Sequence, residues 1–202
     1  MNTPLFSHKV AEIFVKVDDF CNEFEHEFKK QSLPAPAGVK KRNRKPTLTD
    51  SEIITILIAF HGGQFRNFKH FYCHYVCHHL RDCFPDVVSY NRFIELSHRC
   101  AIPFMLLLHY CCRGECTGIS FIDSTVLRVC HNKRIKRNKV FKGMAKVGKS
   151  TVGWFFGFKL HLIINDKGEI LSFYLSQGNT HDSSAKIITR MTKEIFGKVF
   201  GD

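Results

Sequence analysis

Between His8 and Lys30 the apolar positions Val10, Ile13, Phe14, Val17, Phe20, Cys21, Phe24 and Phe28 recur three and four apart, with acids and lysines between them. That spacing predicts an amphipathic helix. From Gln31 to Pro46 the pattern breaks at Pro34, Pro36, Gly38 and Pro46 around Lys40, Lys41, Arg42, Arg44 and Lys45, a basic linker that reads either as a solvated loop or as a phosphate contact. Thr49-Asp50-Ser51-Glu52 has capping-box spacing ahead of the apolar run Ile53 to Phe60, so a second helix is expected from there to Gly62-Gly63. A third is expected over Phe68 to Phe84, a fourth from an N-cap at Ser89, and a fifth with Pro103 in its first turn, reaching about Cys112. At Gly118 the period changes from helical to extended. Strands are predicted over Gly118 to Val129, Trp154 to Ile164, and Glu169 to Ser176, the last two joined by the turn Asn165-Asp166-Lys167-Gly168. A helix over Ser183 to Phe196 and a short strand Lys198-Val199-Phe200 follow. The expected class is α/β: an all-α region over 1–115, with its basic linker at 31–46, then a mixed sheet over 116–202 that is left unfinished.

Composition adds a partner. The 202 residues carry a formal charge of +12 and a sequence pI near 9.4, an excess that suits a polyanion through counterion release; nucleic acid comes first and an anionic membrane surface second. The helical region has the outline of a helix-turn-helix whose second helix would carry Tyr90, Asn91 and Arg92 toward base edges, although generic helix packing gives the same outline. No uncharged apolar run reaches bilayer length; Ile102 to Cys112 is short and interrupted by His109. Nine cysteines in a chain of this length, with no signal segment at its start, read as reduced thiols in a cytoplasm. The cluster His70, Cys73, His74, Cys77, His78 and His79 falls on one predicted helix, whereas structural zinc draws its ligand pairs from separated turns. Buried cysteines and partly buried histidines are the expected account.

Two carboxylates stand out. Asp123 follows the apolar run Gly118 to Ile122 and Asp202 follows Val199-Phe200-Gly201, each expected at the tip of a strand. If those strands are neighbours, the pair could share one or two Mg²⁺ ions; taken singly, each also reads as a strand-end cap or turn residue. Between the first two predicted strands lie Lys133, Arg134, Lys136, Arg137, Lys139, Lys142, Lys146 and Lys149 with no acid among them and with Gly143 and Gly148, which reads as a mobile phosphate-binding arm or a solvated loop. Lys159 and His161 alternate on one strand face and could approach a phosphate, though edge-strand solubility also explains them. His181-Asp182 is expected to cap the next helix, with a catalytic role the less favoured reading. Trp154, Phe155, Phe156 and Phe158 are expected in sheet packing rather than as base-stacking platforms.

Four ordered blocks carry a resemblance: Phe121-Ile122-Asp123-Ser124-Thr125, Gly153 to Leu162, Gly178-Asn179-Thr180-His181-Asp182, and Phe200-Gly201-Asp202. They resemble successive motifs of the DDE transposases of bacterial insertion sequences, most of all the insertion-sequence family numbered 982. Leu48 to Glu52 and Ser89 to Phe93 resemble its helical N-terminal region. The resemblance implies an RNase H-like catalytic domain in which two aspartates and a glutamate hold Mg²⁺, or Mn²⁺, for strand cleavage and transfer at the element's ends. By motif position Asp123 corresponds to the first aspartate and Asp202 to the second. Glu169 and Glu194 precede Asp202, so neither has the order expected of the glutamate, and the chain reads as a truncated, catalytically impaired copy. The implied partner is double-stranded DNA at terminal inverted repeats, with self-assembly on DNA open, in a bacterial cytoplasm at the nucleoid and not in a membrane. A non-catalytic DNA-binding module, such as a repressor of the intact element, and a fragment that scarcely folds are the alternatives.

Overall fold

The computed structural model describes residues 3–31, 46–63 and 65–201. The chain divides into two compact units, Met1–Cys111 and Cys112–Asp202. The basic run Lys40 to Lys45 and the candidate carboxylate Asp202 lie outside the described residues.

In the first unit, α1 (Thr3–Gln31) and α2 (Asp50–Gly62) are the elements the apolar periodicity predicts. The capping box closes as expected: Glu52 N–H donates to Thr49 Oγ1 (3.2 Å) and Thr49 N–H to Glu52 Oε2 (2.7 Å), a cap worth about 1 kcal/mol. The third predicted helix is composite and shorter than expected. It runs as α3 (Phe68–His70), a π-helical turn Phe71–Val76 and α4 (Cys77–His79). It stops before Phe84 because the Arg81 guanidinium takes the carbonyls of Cys77 (2.9 Å) and Pro85 (2.9 Å), turning the chain toward a proline that cannot extend a helix. The π-turn places Phe71, Tyr72 and Val76 in the core, where the Tyr72 hydroxyl donates to Val88 O at 2.7 Å. Ser89 caps α5 (Tyr90–Ser97), and a 3-10 turn His98–Cys100 leads into α6 (Ala101–Cys111). The core gathers Val10 and Val17 of α1, Ile53, Ile54 and Ile56 of α2, the π-turn, Phe93 and Leu107.

The second unit is a mixed five-stranded sheet with one short helix, so the chain as a whole is α/β with its helices N-terminal. Its strands are β1 (Ile119–Cys130), β2 (Lys146–Ser150), β3 (Gly153–Asn165), β4 (Ile170–Gln177) and β5 (Lys198–Phe200), and α7 (Ala185–Met191) precedes β5. β1 lies between β3, antiparallel, and β5, parallel; β2 and β4 pair with successive halves of the long β3. β2 was not expected, because its Lys-Val-Gly-Lys-Ser sequence offers almost no apolar alternation. It forms because the first half of β3 extends past β4 and needs a partner for its amides. α7 ends at Met191 rather than Phe196, where the Thr192 hydroxyl bonds back to Ile188 O at 2.9 Å. Ile187 and Met191 of α7 pack on Ile163 and Leu171 to form the small core on one face of the sheet. The other face leaves Phe121, Leu127, Leu175 and Phe200 exposed.

Candidate functional site

Asp123 is the fifth residue of a twelve-residue strand and sits opposite Leu162 of β3. The expected strand end is not there, because Ser124 to Leu127 continue opposite the half of β3 that β4 pairs, and Arg128 and Cys130 reach the part that β2 braces. Toward β5 the paired stretch is shorter. It runs from Ile119↔Lys198 to Phe121↔Phe200, so Asp123 stands just beyond it. Gly201 follows at close range: a Cβ there would come within 2.6 Å of Ile122 Cγ2. The Asp123 side chain is exposed, and its Oδ1 accepts the Ser124 N–H at 2.6 Å. Donor chemistry of this kind, an exposed carboxylate on rigid backbone, suits a hard divalent cation. Among the described residues, however, no group of three histidines, cysteines or acids gathers around a point where a metal could sit, so the described part of the site contributes a single oxygen ligand.

The next residue points the other way. Strand alternation puts Ser124, Lys159 and His161 on the face that carries α7, opposite Asp123. Lys159 and His161 do share a face, but β3 is an interior strand, so neither serves edge solubility. Lys159 is only 5% exposed and its Nζ donates to Asp182 Oδ2 at 2.9 Å, while Ser124 Oγ donates to Asp182 Oδ1 at 2.7 Å. Lys159, expected among the phosphate contacts, is thus an internal cation with a partner already in place. His161, 2% exposed, hydrogen-bonds the Ser176 hydroxyl at 2.8 Å. Burial pushes the imidazole below its ordinary range, which the Asp182 carboxylate partly opposes and Lys159 reinforces. Burial works to raise the Asp182 carboxyl, but the Ser124 hydroxyl and Lys159 outweigh it and hold the group below the usual carboxylate range.

Asp182 therefore does not cap α7, whose N-cap is Ser184 with no side-chain hydrogen bond. This role for Asp182 was missed from sequence. The signal was present in Lys159 itself: a lysine alternating with apolar residues in a central strand is buried and requires a counter-charge.

The basic segment is ordered. It contains a 3-10 helix, Asn132–Arg137, and then β2. Asn132 Nδ2 donates to Trp154 O (2.9 Å), Phe141 packs edge-on against Phe158 (5.6 Å between ring centroids), and Gln177 Nε2 reaches Met144 O (2.9 Å). Gly148 serves close approach rather than mobility, since a Cβ there would collide with Gly178 O. The cations from Lys133 to Lys149 are all exposed. Trp154 is 63% exposed, contrary to the packing role expected of it, whereas Phe155 and Phe156 are buried.

Elsewhere, Glu169 is held by Asn165 Nδ2 at 2.7 Å and Glu194 pairs with Arg113 at 3.2 Å, both in structural contacts. Arg92 is exposed and pairs with Glu95 at 2.8 Å. His70, His74, His78 and His79 are exposed rather than partly buried, with Cys73 and Cys77 half-buried; burial raises the Cys77 thiol and pushes that of Cys100 up to about 12, as suits inert thiols. No described helix is long and apolar enough to cross a membrane.

Residues 113–202 match the family model described as "Transposase DDE domain", nearly the whole of the second unit. That match supports a DDE-type transposase, a family whose domains generally use divalent metals, and the mixed sheet is consistent with the RNase H-like architecture of such domains. No curated protein and no solved structure matches the chain.

Proposed function

We propose that the protein binds DNA as a transposase of a bacterial insertion sequence, close to the family numbered 982, with Asp123 and Asp202 as the carboxylates that would hold Mg²⁺ or Mn²⁺. The observation that carries this reading is the exposed carboxylate of Asp123 just past the parallel pair Phe121↔Phe200. The described pairing ends at Phe121↔Phe200, and in the sequence Asp123 and Asp202 each follow that pair by two residues, which supports a two-aspartate site. When bound, the cation would supply Lewis-acid stabilisation of charge at a phosphodiester. The chain's own residues divide the remaining work. Ser124 N–H fixes one oxygen of Asp123, leaving the other to face outward. The exposed cations from Lys133 to Lys149 hold the DNA backbone, with Arg92 of the helical unit as a further contact, and the partner is duplex DNA at the element's inverted repeats. Lys159 is assigned no direct phosphate contact here, because it is committed to Asp182.

Residues 1–202 bind DNA in this account without cutting it appreciably, since Glu169 and Glu194 are engaged in contacts of their own with Asn165 and Arg113. A supercoiled-plasmid assay with Mg²⁺ or Mn²⁺ tests this: no nicking above background is expected, and nicking that Asp123→Asn abolishes would contradict it. A second reading, a non-catalytic module that occupies the ends of an intact element, is favoured by the basic segment being ordered independently of any carboxylate set. A salt-dependent gel shift separates the two levels of binding: strong preference for inverted repeats over random duplex supports end recognition, and equal binding leaves only charge attraction.

A further inference from the structure

The tryptophan at the start of β3 has no packing role that explains it. Its neighbours Phe155 and Phe156 are buried, yet Trp154 keeps 63% of its surface exposed. It is the only tryptophan in the chain. Its antiparallel partner on β2 is Lys149, so the ring and an exposed ammonium stem project from the same side of the hairpin. On the other flank, the Asn132 side chain holds the main chain of Trp154 and so places the 3-10 helix bearing Lys133, Arg134, Lys136 and Arg137 beside it. From Ser124 to Asn165 the sequence contains no acidic residue. The hairpin itself is rigid, because Gly148 and Gly178 meet backbone to backbone and Gly178 N–H donates to Gly157 O at 3.0 Å.

We propose that Trp154 is a base-stacking residue: the β2–β3 hairpin takes an unpaired nucleobase of DNA on the indole face while Lys149 and the 3-10 helix hold the flanking phosphates. An exposed aromatic set among cations on fixed backbone is the arrangement that binds single-stranded nucleic acid, where any base offers a π-face. Even-numbered positions of β3 share one face, so Trp154 lies on the same side of the sheet as Leu162 and its partner Asp123, eight positions away (154 to 162) or roughly 26 Å at strand rise. Phe158 lies between them on that face and packs against Phe141, so the basic segment stands over the interval between Trp154 and Asp123. The proposal rests on the DNA-binding reading above and specifies that the bound DNA is locally unpaired.

The lone tryptophan is its own reporter. The full chain is titrated at low salt with an oligo-dT strand and, in parallel, with a blunt duplex of equal length. Trp emission is followed alongside gel shifts of the native chain, Trp154→Ala and Trp154→Phe. Oligo-dT should quench the emission strongly and the duplex only weakly. Trp154→Ala should weaken oligo-dT binding about tenfold, equivalent to ~1.4 kcal/mol for one stacked base, with duplex binding changed less than twofold, and Trp154→Phe should recover most of the loss. Truncation at so exposed a position leaves no cavity, and an unchanged circular dichroism melt confirms it. Duplex binding without quenching by oligo-dT, or an equal loss of both DNAs in Trp154→Ala, overturns the stacking role and leaves DNA binding standing. Failure of both DNAs to bind overturns the two together. Emission that shifts with protein concentration but not with DNA overturns stacking in favour of self-association.

Discussion

The two faces of the sheet treat charge in opposite ways, and adjacent residues of β1 show it. Ser124 turns toward α7, where it and Lys159 hydrogen-bond Asp182 and, separately, His161 hydrogen-bonds Ser176, on the face with the core of Ile163, Leu171, Ile187 and Met191. Asp123 turns to the open face, among the exposed Phe121 and Phe200, with one main-chain hydrogen bond and no cationic partner among the described residues. On the covered face the charged groups and His161 are satisfied and so serve the fold, with the buried Ser120 hydroxyl left unpaired among the described residues. On the open face a carboxylate stands ready for a partner from outside, and it is held there by a strand paired on both sides.

The largest expected effect sits on the covered side. Ile163→Ala should cost about 3 kcal/mol, because Ile163 is fully buried and its loss leaves a cavity. Phe121→Ala on the open face should cost less than about 1 kcal/mol, since half the ring is already in water. Urea melts of the two variants measure the contrast, and equal losses would mean that something covers the open face.

Next comes the Lys159–Asp182 pair. Lys159→Ala should cost about 2 kcal/mol, less than a fully buried pair would, because Asp182 is 54% exposed and can rehydrate. The buried groups of this face also set a pH dependence. His161 is held neutral with a lowered pKa, so the unfolded chain takes up its proton first, and stability should fall as pH drops below about 6.5. Asp182, also lowered, adds stability that is present above its ordinary value of about 3.9 and is lost as pH falls further. Melting temperatures from pH 7 down to about 2.5 should therefore decline in two stages, the second below about pH 4, and His161→Gln should flatten the first.

What could be read from the sequence follows the range of the interactions concerned. The Thr49–Glu52 box and the Ser89 cap were legible because the groups that satisfy them lie three residues away. The main strands were legible by their period, and Asp123 as a residue of one, although it lies within β1 and not at the expected tip. β2 was not, because it exists to pair with β3 and carries little apolar pattern of its own. The partnership of Asp182 with Lys159 and Ser124 spans 23 and 58 residues, and local sequence does not report it. Whether Trp154 faces in or out depends on which strand pairs beside it; an apolar run leaves that undecided.

The division between a structural and a functional face is tested most directly by thermal melts of the full chain with and without millimolar Mn²⁺, comparing the native protein with Asp123→Asn. The account predicts that the variant melts as the native chain does in the absence of metal, within about 0.5 kcal/mol, and that it loses the rise in melting temperature that Mn²⁺ gives the native protein. A metal-dependent rise that survives the substitution, or a variant that is markedly unstable without metal, would contradict it.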